Sequence, residues 1–285
     1  MSVEKLLERI RKTKNPSVLD LSMTADQIPG VIRENQEFSA AMEAYGKAVL
    51  TALKNIVPAV RFSYAHFACM GAAGIAVFYD LIQSAKADGF YILVDAADAS
   101  SVRLSQATAE FFMNLPCDGV IVSGYAGSDL VKPFAEKLKE TKKSLFVTLR
   151  NANRSASQLQ DLMTGSRLVH IAAADMVKRM GEDFKTRSGY SQIGGVAAAT
   201  SADSVRTLRS KFPNLFLLVD GYDYSNANAK NCSFAFDKLG HGAIVCGCDC
   251  VLSAWKDEPN IKPIDCVVSA AERMKKNLNR YISIL

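Results

Sequence analysis

The sequence predicts a (β/α)8 TIM barrel, and three observations carry that prediction. Eight short runs are continuously apolar, as strands buried on both faces should be. Charged, helix-periodic segments stand between them. The length of 285 residues suits one such barrel. A doubly wound open sheet is the alternative, but it calls for fewer strands and a glycine-rich first turn, which this sequence lacks.

The elements follow in order. MSVEKLLERIRKTKN reads as an amphipathic, charged helix, without the apolar stretch and small-residue cleavage site of a signal peptide. Strands are expected at 17–22 (SVLDLS), 59–64 (AVRFSY), 90–97 (FYILVDAA) and 118–125 (DGVIVSGY). Four more are expected at 144–151 (SLFVTLRN), 194–200 (GGVAAAT), 215–222 (LFLLVDGY) and 243–249 (AIVCGCD). Helices are expected at 37–56, 74–89, 128–142, 167–185, 203–212 and 266–282. With no low-complexity linker, residues 1–285 read as a single domain.

Composition removes several function classes. The net charge of +5 comes from scattered Lys and Arg rather than a basic stripe, so no nucleic-acid partner is expected. No apolar stretch is long enough to span a bilayer, so no membrane role is expected. Seven cysteines, an odd number without framework spacing, fit a reducing compartment and place the protein in the cytoplasm.

In a barrel of this kind the chemistry sits at the C-terminal ends of the strands. Those ends carry Asp20, then Arg61 with Ser63, then Asp95 with Ala97, then Ser123. Arg150 with Asn151 and Asn153, Thr200, Asp220 with Asp223, and Cys248 with Asp249 complete the ring. Burying such charges unpaired is costly, so Arg61 is the natural partner of Asp20 and Asp95. Two readings stand side by side here: a structural salt-bridge layer and a ligand site. Arg150, Asn151, Asn153 and Arg154 form the most polar strand end and are the candidates for an anion contact.

Cys246, Cys248 and Cys250 are spaced two apart and would share one face of a strand, which raises a thiolate metal site. Zinc favours CxxC turns, and His66, His170 and His241 offer no second ligand pair, so small packed thiols are the preferred reading. Asp20, Asp95, Asp220 and Asp249 could instead gather around a divalent cation, but Arg61 and Arg150 in the same ring argue against it. No metal and no cofactor is expected.

The order of these segments resembles orotidine 5'-monophosphate decarboxylases, specifically the longer bacterial branch. NPSVLDLS is similar to that family's N-P-x-V-x-G-L-D-P opening, and VIVSGYAGSDLVKPF to V-T-V-N-P-Y-x-G-x-D-x-x-x-P-F. RNANRSASQLQD follows K-T-S-N-P-S-x-x-x-x-Q-D, and GAIVCGCDCVLSAW follows G-A-I-V-N-x-S-R-G-I-x-x-A. The resemblance implies a homodimer with sites near the subunit interface. It implies a reaction in which the lysine of D-x-K-x-G-D-I protonates the carbon that loses carbon dioxide.

Carried over residue by residue, the resemblance keeps Asp20 and Asp95 and turns a lysine into Arg61; these three are the retained or near-retained catalytic positions. It puts Ala97 where the lysine should be and Ser100 where the second acid should be. In the loop after the seventh strand, Asp220 and Asp223 replace proline and glycine and Ser225 replaces glutamine, with Gly221 counted among the ligand-binding positions. Asp249 replaces the phosphate-binding arginine, reversing the charge that would face a dianion. The expectation is therefore a member that has lost decarboxylation and works as a pseudoenzyme. It would bind a different small molecule in the barrel mouth, or act through a partner, for example in a mixed dimer with an active paralogue. The alternatives are an active decarboxylase with a rearranged site, and repurposed catalysis by Asp20, Asp95 and Arg61 on an unphosphorylated substrate.

Overall fold

The structure, a computed structural model, describes residues 2–224 and 226–283. Eight strands close into one parallel barrel: β1 (Ser17–Asp20), β2 (Ala59–Ser63), β3 (Tyr91–Asp95), β4 (Gly119–Ser123), β5 (Ser144–Thr148), β6 (Ile193–Ala198), β7 (Leu217–Asp220) and β8 (Ala243–Gly247). Each pairs with its neighbours in sequence, and β1 pairs with β8 to close the ring. The fold class read from the sequence is the fold observed.

Seven long helices follow strands and pack around the barrel: α2 (Phe38–Leu53), α3 (Gly71–Ala87), α4 (Ser105–Asn114), α5 (Ser128–Lys137), α6 (Val169–Gly181), α7 (Ala202–Lys211) and α8 (Pro263–Asn279). In α3 the buried positions Gly74, Val77, Phe78, Leu81, Ile82 and Ala85 trace one stripe at helical spacing, which is the face laid on the sheet. After β7 the long helix is replaced by the short turn Ala229–Ser233. Among the described residues no helix is long and apolar enough to cross a membrane.

The inner core is built from alternate strand residues. Val18, Ala59, Leu93, Ile121, Phe146, Val196, Leu218 and Ile244 fill the barrel interior and are buried. The leading helix α1 (Ser2–Thr13) joins this same cluster through Val3, Leu6, Leu7 and Ile10, spaced to share one face. It closes the end of the barrel opposite the strand C-termini, where Ser2 Oγ donates to Tyr91 Oη at 2.7 Å. Two residues further along, six of the eight strands turn from apolar to polar, at Asp20, Arg61, Asp95, Ser123, Thr148 and Asp220, and that step creates the mouth.

Several boundaries move from the expected ones, for physical reasons. The third strand ends at Asp95, because the Asp95 carboxylate accepts the Ala97 amide at 2.9 Å and turns the chain. The eighth strand ends at Gly247, and residues Asp249–Leu252 are helical. Cys246, Cys248 and Cys250 therefore do not share a strand face: Cys246 is buried inside the barrel, Cys248 is partly buried and Cys250 is exposed. The expected helix at 167–185 begins at Val169, because Arg167–Leu168 pair with Met163–Thr164 in a small antiparallel hairpin.

Candidate functional site at the barrel mouth

The site is centred on Arg61. Strand register sets Asp20 directly beside it on β1, and Asp95 stands two residues beyond its β3 neighbour Leu93. The side chain then crosses the barrel to Asp220 at the end of β7. Its Nη1 lies 2.7 Å from Asp220 Oδ1, Nη2 lies 2.5 Å from Asp95 Oδ2, and Nε lies 3.4 Å from Asp20 Oδ2. Arg61 is 15% exposed and the three carboxylates 11–23%. One guanidinium thus ties β2 to three other strands of the ring, β1, β3 and β7.

Three carboxylates outnumber one cation, and the electrostatics show it. Burial works against the charge on Arg61, but Asp220, Asp95 and Asp20 outweigh it and hold the guanidinium charged. Burial and the neighbouring Asp95 and Asp20 push Asp220 above the ordinary carboxylate range, against the pull of Arg61. Cys246 Sγ lies 3.8 Å from Arg61 Nη1, and burial pushes its thiol up, favouring the protonated form.

Around this centre is a cavity of about 410 Å³. Of the residues picked out from the sequence, it is lined by Asp20, Arg61, Asp95, Ala97, Ser123, Asn151, Asn153, Asp220, Gly221, Asp223, Cys246 and Cys248. Arg150 and Thr200 stand next to it, in a side cavity of about 350 Å³ that also touches Asn153 and Arg154. Arg150 is buried and held by Asp161, with Nε–Oδ1 3.0 Å and Nη2–Oδ2 2.8 Å. Those bonds keep the Asp161 carboxyl below its ordinary range.

Three expected residues lie away from the mouth. Ser63 caps the short helix Tyr64–Ala68, its Oγ accepting the His66 amide at 3.4 Å. Ser100 Oγ donates to the Ala96 carbonyl at 2.6 Å. Asp249 turns toward the loop after β1, accepting from Gln27 Nε2 at 3.2 Å and Ser253 Oγ at 2.6 Å. Ser225 lies outside the described residues. His66 Nε2 meets the Met23 carbonyl at 2.9 Å, and His170 Nδ1 the Gln160 carbonyl at 2.9 Å.

Other lining residues escaped the sequence reading. Thr148 is the β5 position two beyond the interior Phe146, so the strand's alternation would have found it. Tyr125 and Tyr224 sit on loops, where no periodicity points to them. Asp98, the residue after Ala97, also lines the mouth. Asp223 has an unexpected role: its Oδ2 accepts the Cys248 amide at 2.8 Å and its Oδ1 the Cys250 amide at 3.0 Å. In barrels of this class the loops after strands seven and eight, with a short extra helix, commonly hold phosphate. Here the chain's own carboxylate occupies those amides. Among the described residues no group of three or more His, Cys, Asp or Glu side chains is placed to hold a metal ion.

Comparison with known proteins fits this architecture. Residues 7–233 match the sequence model of the orotidine 5'-phosphate decarboxylase / HUMPS family. An orotidine 5'-phosphate decarboxylase of Caldicellulosiruptor saccharolyticus is 25% identical, covering 98% of both chains. One of Clostridium tetani is 27% identical over 99% of both. Among solved structures, a putative orotidine-monophosphate-decarboxylase from Toxoplasma gondii superposes with a TM-score of 0.83 at 19% identity, covering 98% of this chain and 96% of that one. One from Plasmodium yoelii gives 0.84 at 13% identity over 99% of both. With a closed eight-stranded barrel and a family match across most of its length, this chain belongs to the orotidine 5'-phosphate decarboxylase / HUMPS family.

Proposed function

We propose that this chain is a family member that has lost orotidine 5'-monophosphate decarboxylation and uses its barrel mouth for a different small molecule. The observation that carries this reading is the state of the cations at the site. No lysine or histidine is among the described residues lining the mouth, and its one guanidinium is committed to three carboxylates. Proton delivery to a carbon needs an acid whose proton is available near neutral pH. The resemblance puts Ala97 where the family's lysine stands, and an alanine supplies no proton. Asp223 on the Cys248 and Cys250 amides adds a second argument, since a phosphate would have to displace a fixed like charge there.

A second reading, an active decarboxylase with a rearranged site, is favoured by one observation: relatives bearing that name match this chain almost end to end. The two readings separate cleanly. The absorbance of orotidine 5'-monophosphate would be followed with a high concentration of purified protein, beside an Ala97→Lys/Ser100→Asp variant. No turnover by the unaltered protein is the expected result; turnover abolished by Arg61→Met would establish the second reading instead.

The same proposal includes assembly and place. The loops after β3, β4 and β5, adjacent around the ring, expose Val102, Leu104, Tyr125, Leu159, Leu162 and Met163. Apolar side chains collected on one rim favour a protein contact. We assign that rim to a second copy of this chain or to an active paralogue in a mixed dimer, in the cytoplasm.

A further inference from the structure

The mouth has a neighbour of opposite charge. Five carboxylates, Asp20, Asp95, Asp98, Asp220 and Asp223, line the mouth against the single Arg61. The side cavity is lined by Arg150 and Arg154 with Thr200 and Asn226, and no carboxylate is among its lining residues. The two spaces share a wall made of Ala152, Asn153 and Tyr224. Each side also keeps one charge unused. Asp98 and Arg154 make no side-chain hydrogen bond or ion pair among the described residues, whereas Arg61 and Arg150 are spent on internal carboxylates.

From this we propose that the two cavities form one site for a small zwitterion, an amino acid whose ammonium and carboxylate are separated by a short chain. The ammonium end enters the acidic mouth, where net negative charge and partial burial favour a cation. Tyr125 and Tyr224, 40% and 48% exposed, give it aromatic neighbours on the rim. The carboxylate end reaches Arg154, whose planar fork matches a carboxylate with two parallel hydrogen bonds. A phosphate is disfavoured at this position, because a dianion would adjoin the acidic mouth across the shared wall with one free guanidinium to offset it. The apolar stretch between the two ends lies along Ala152 and Tyr224. This inference rests on the reading that the mouth takes a ligand other than the family's nucleotide, and it names that ligand's class.

The test is titration calorimetry on the full chain with a series of ω-amino acids from β-alanine through γ-aminobutyrate to ε-aminocaproate. Butylamine and butyrate serve as single-ended probes, and uridine monophosphate as a separate arm. One member of the series should bind about tenfold more tightly than either single-ended probe, the gain expected from one added charge-assisted contact. Arg154→Gln should remove that gain and leave butylamine binding unchanged; Asp98→Asn should weaken both the zwitterion and butylamine. Both side chains are exposed, so neither variant threatens the fold. A series that binds no better than its single-ended members, or that ignores Arg154→Gln, overturns the inference. Tight binding of uridine monophosphate would overturn the loss-of-function reading as well, whereas silence in that arm leaves that reading standing.

Discussion

Asp220 is where the chemistry of this mouth can be read from a single side chain. Its folded carboxyl is held above the ordinary value of 3.8 by burial and by Asp95 and Asp20, despite the 2.7 Å contact with Arg61. A group whose folded value is raised contributes stability that is fully present below its unfolded value and is lost as the pH climbs through the folded one. Replacing it with the isosteric asparagine removes that titration. Stability of the unaltered protein relative to Asp220→Asn should therefore fall as the pH rises from about 4 toward neutrality. Urea midpoints at a series of pH values would show it, and parallel curves for the two proteins would contradict it. Residue identity decides the matter: the same position with an uncharged side chain would leave Arg61 shared between two carboxylates rather than three.

At the level of elements, the mouth exists because the rest of the barrel is filled. The polar layer sits on an apolar floor of alternate strand residues, and α1 seals the far end through Leu6 and its neighbours. Leu6 is fully buried, so Leu6→Ala should cost about 2–5 kcal/mol, the usual toll of a buried leucine lost to a cavity. Chemical denaturation would measure this, and a loss under about 1 kcal/mol would mean that the helix is peripheral to the core. Elements also decide how loops are aimed. Gly221 leaves β7 with φ +85°, and a Cβ there would come within 2.7 Å of the Ala152 Cβ. That turn carries Asp223 to the amides beyond β8, so the fixed carboxylate depends on a residue that only glycine satisfies without strain.

At the scale of the whole molecule, the exposed rim is the surface that the proposed dimer would cover. Val102, Leu104, Leu159, Leu162 and Met163 are 45–69% exposed on adjoining loops, an unfavourable display for a lone subunit. Sedimentation equilibrium should give a dimer, and Leu104→Lys with Met163→Lys should shift it toward monomer without altering the unfolding cooperativity. A monomer at all concentrations would remove the proposed assembly. The overall charge of +5 coexists with an acidic mouth, so the molecule attracts cations at one place while its surface is mildly basic elsewhere. Net charge is a sum, and a binding site responds to its local part.

The sequence alone determined the barrel, because eight runs apolar on both faces leave few ways to bury themselves except in a closed parallel sheet wrapped by helices. It also determined the pairing of Arg61 with Asp20 and Asp95, since three charges at neighbouring strand ends must find one another. Tertiary structure decided the rest. That Asp220 completes the set follows from the reach of Arg61 across the barrel, and sequence spacing carries no cross-barrel distance. Arg150 was legible as a polar strand end but not as the partner of Asp161, eleven residues on and brought back by the loop. Asp249, expected at the mouth, turns to Gln27 and Ser253, and Asp223 reaches the amides after β8, contacts that sequence spacing does not carry. Where a strand stops and a helix begins is set by which backbone amides find acceptors, and the acceptor for Cys248 and Cys250 comes from a different loop.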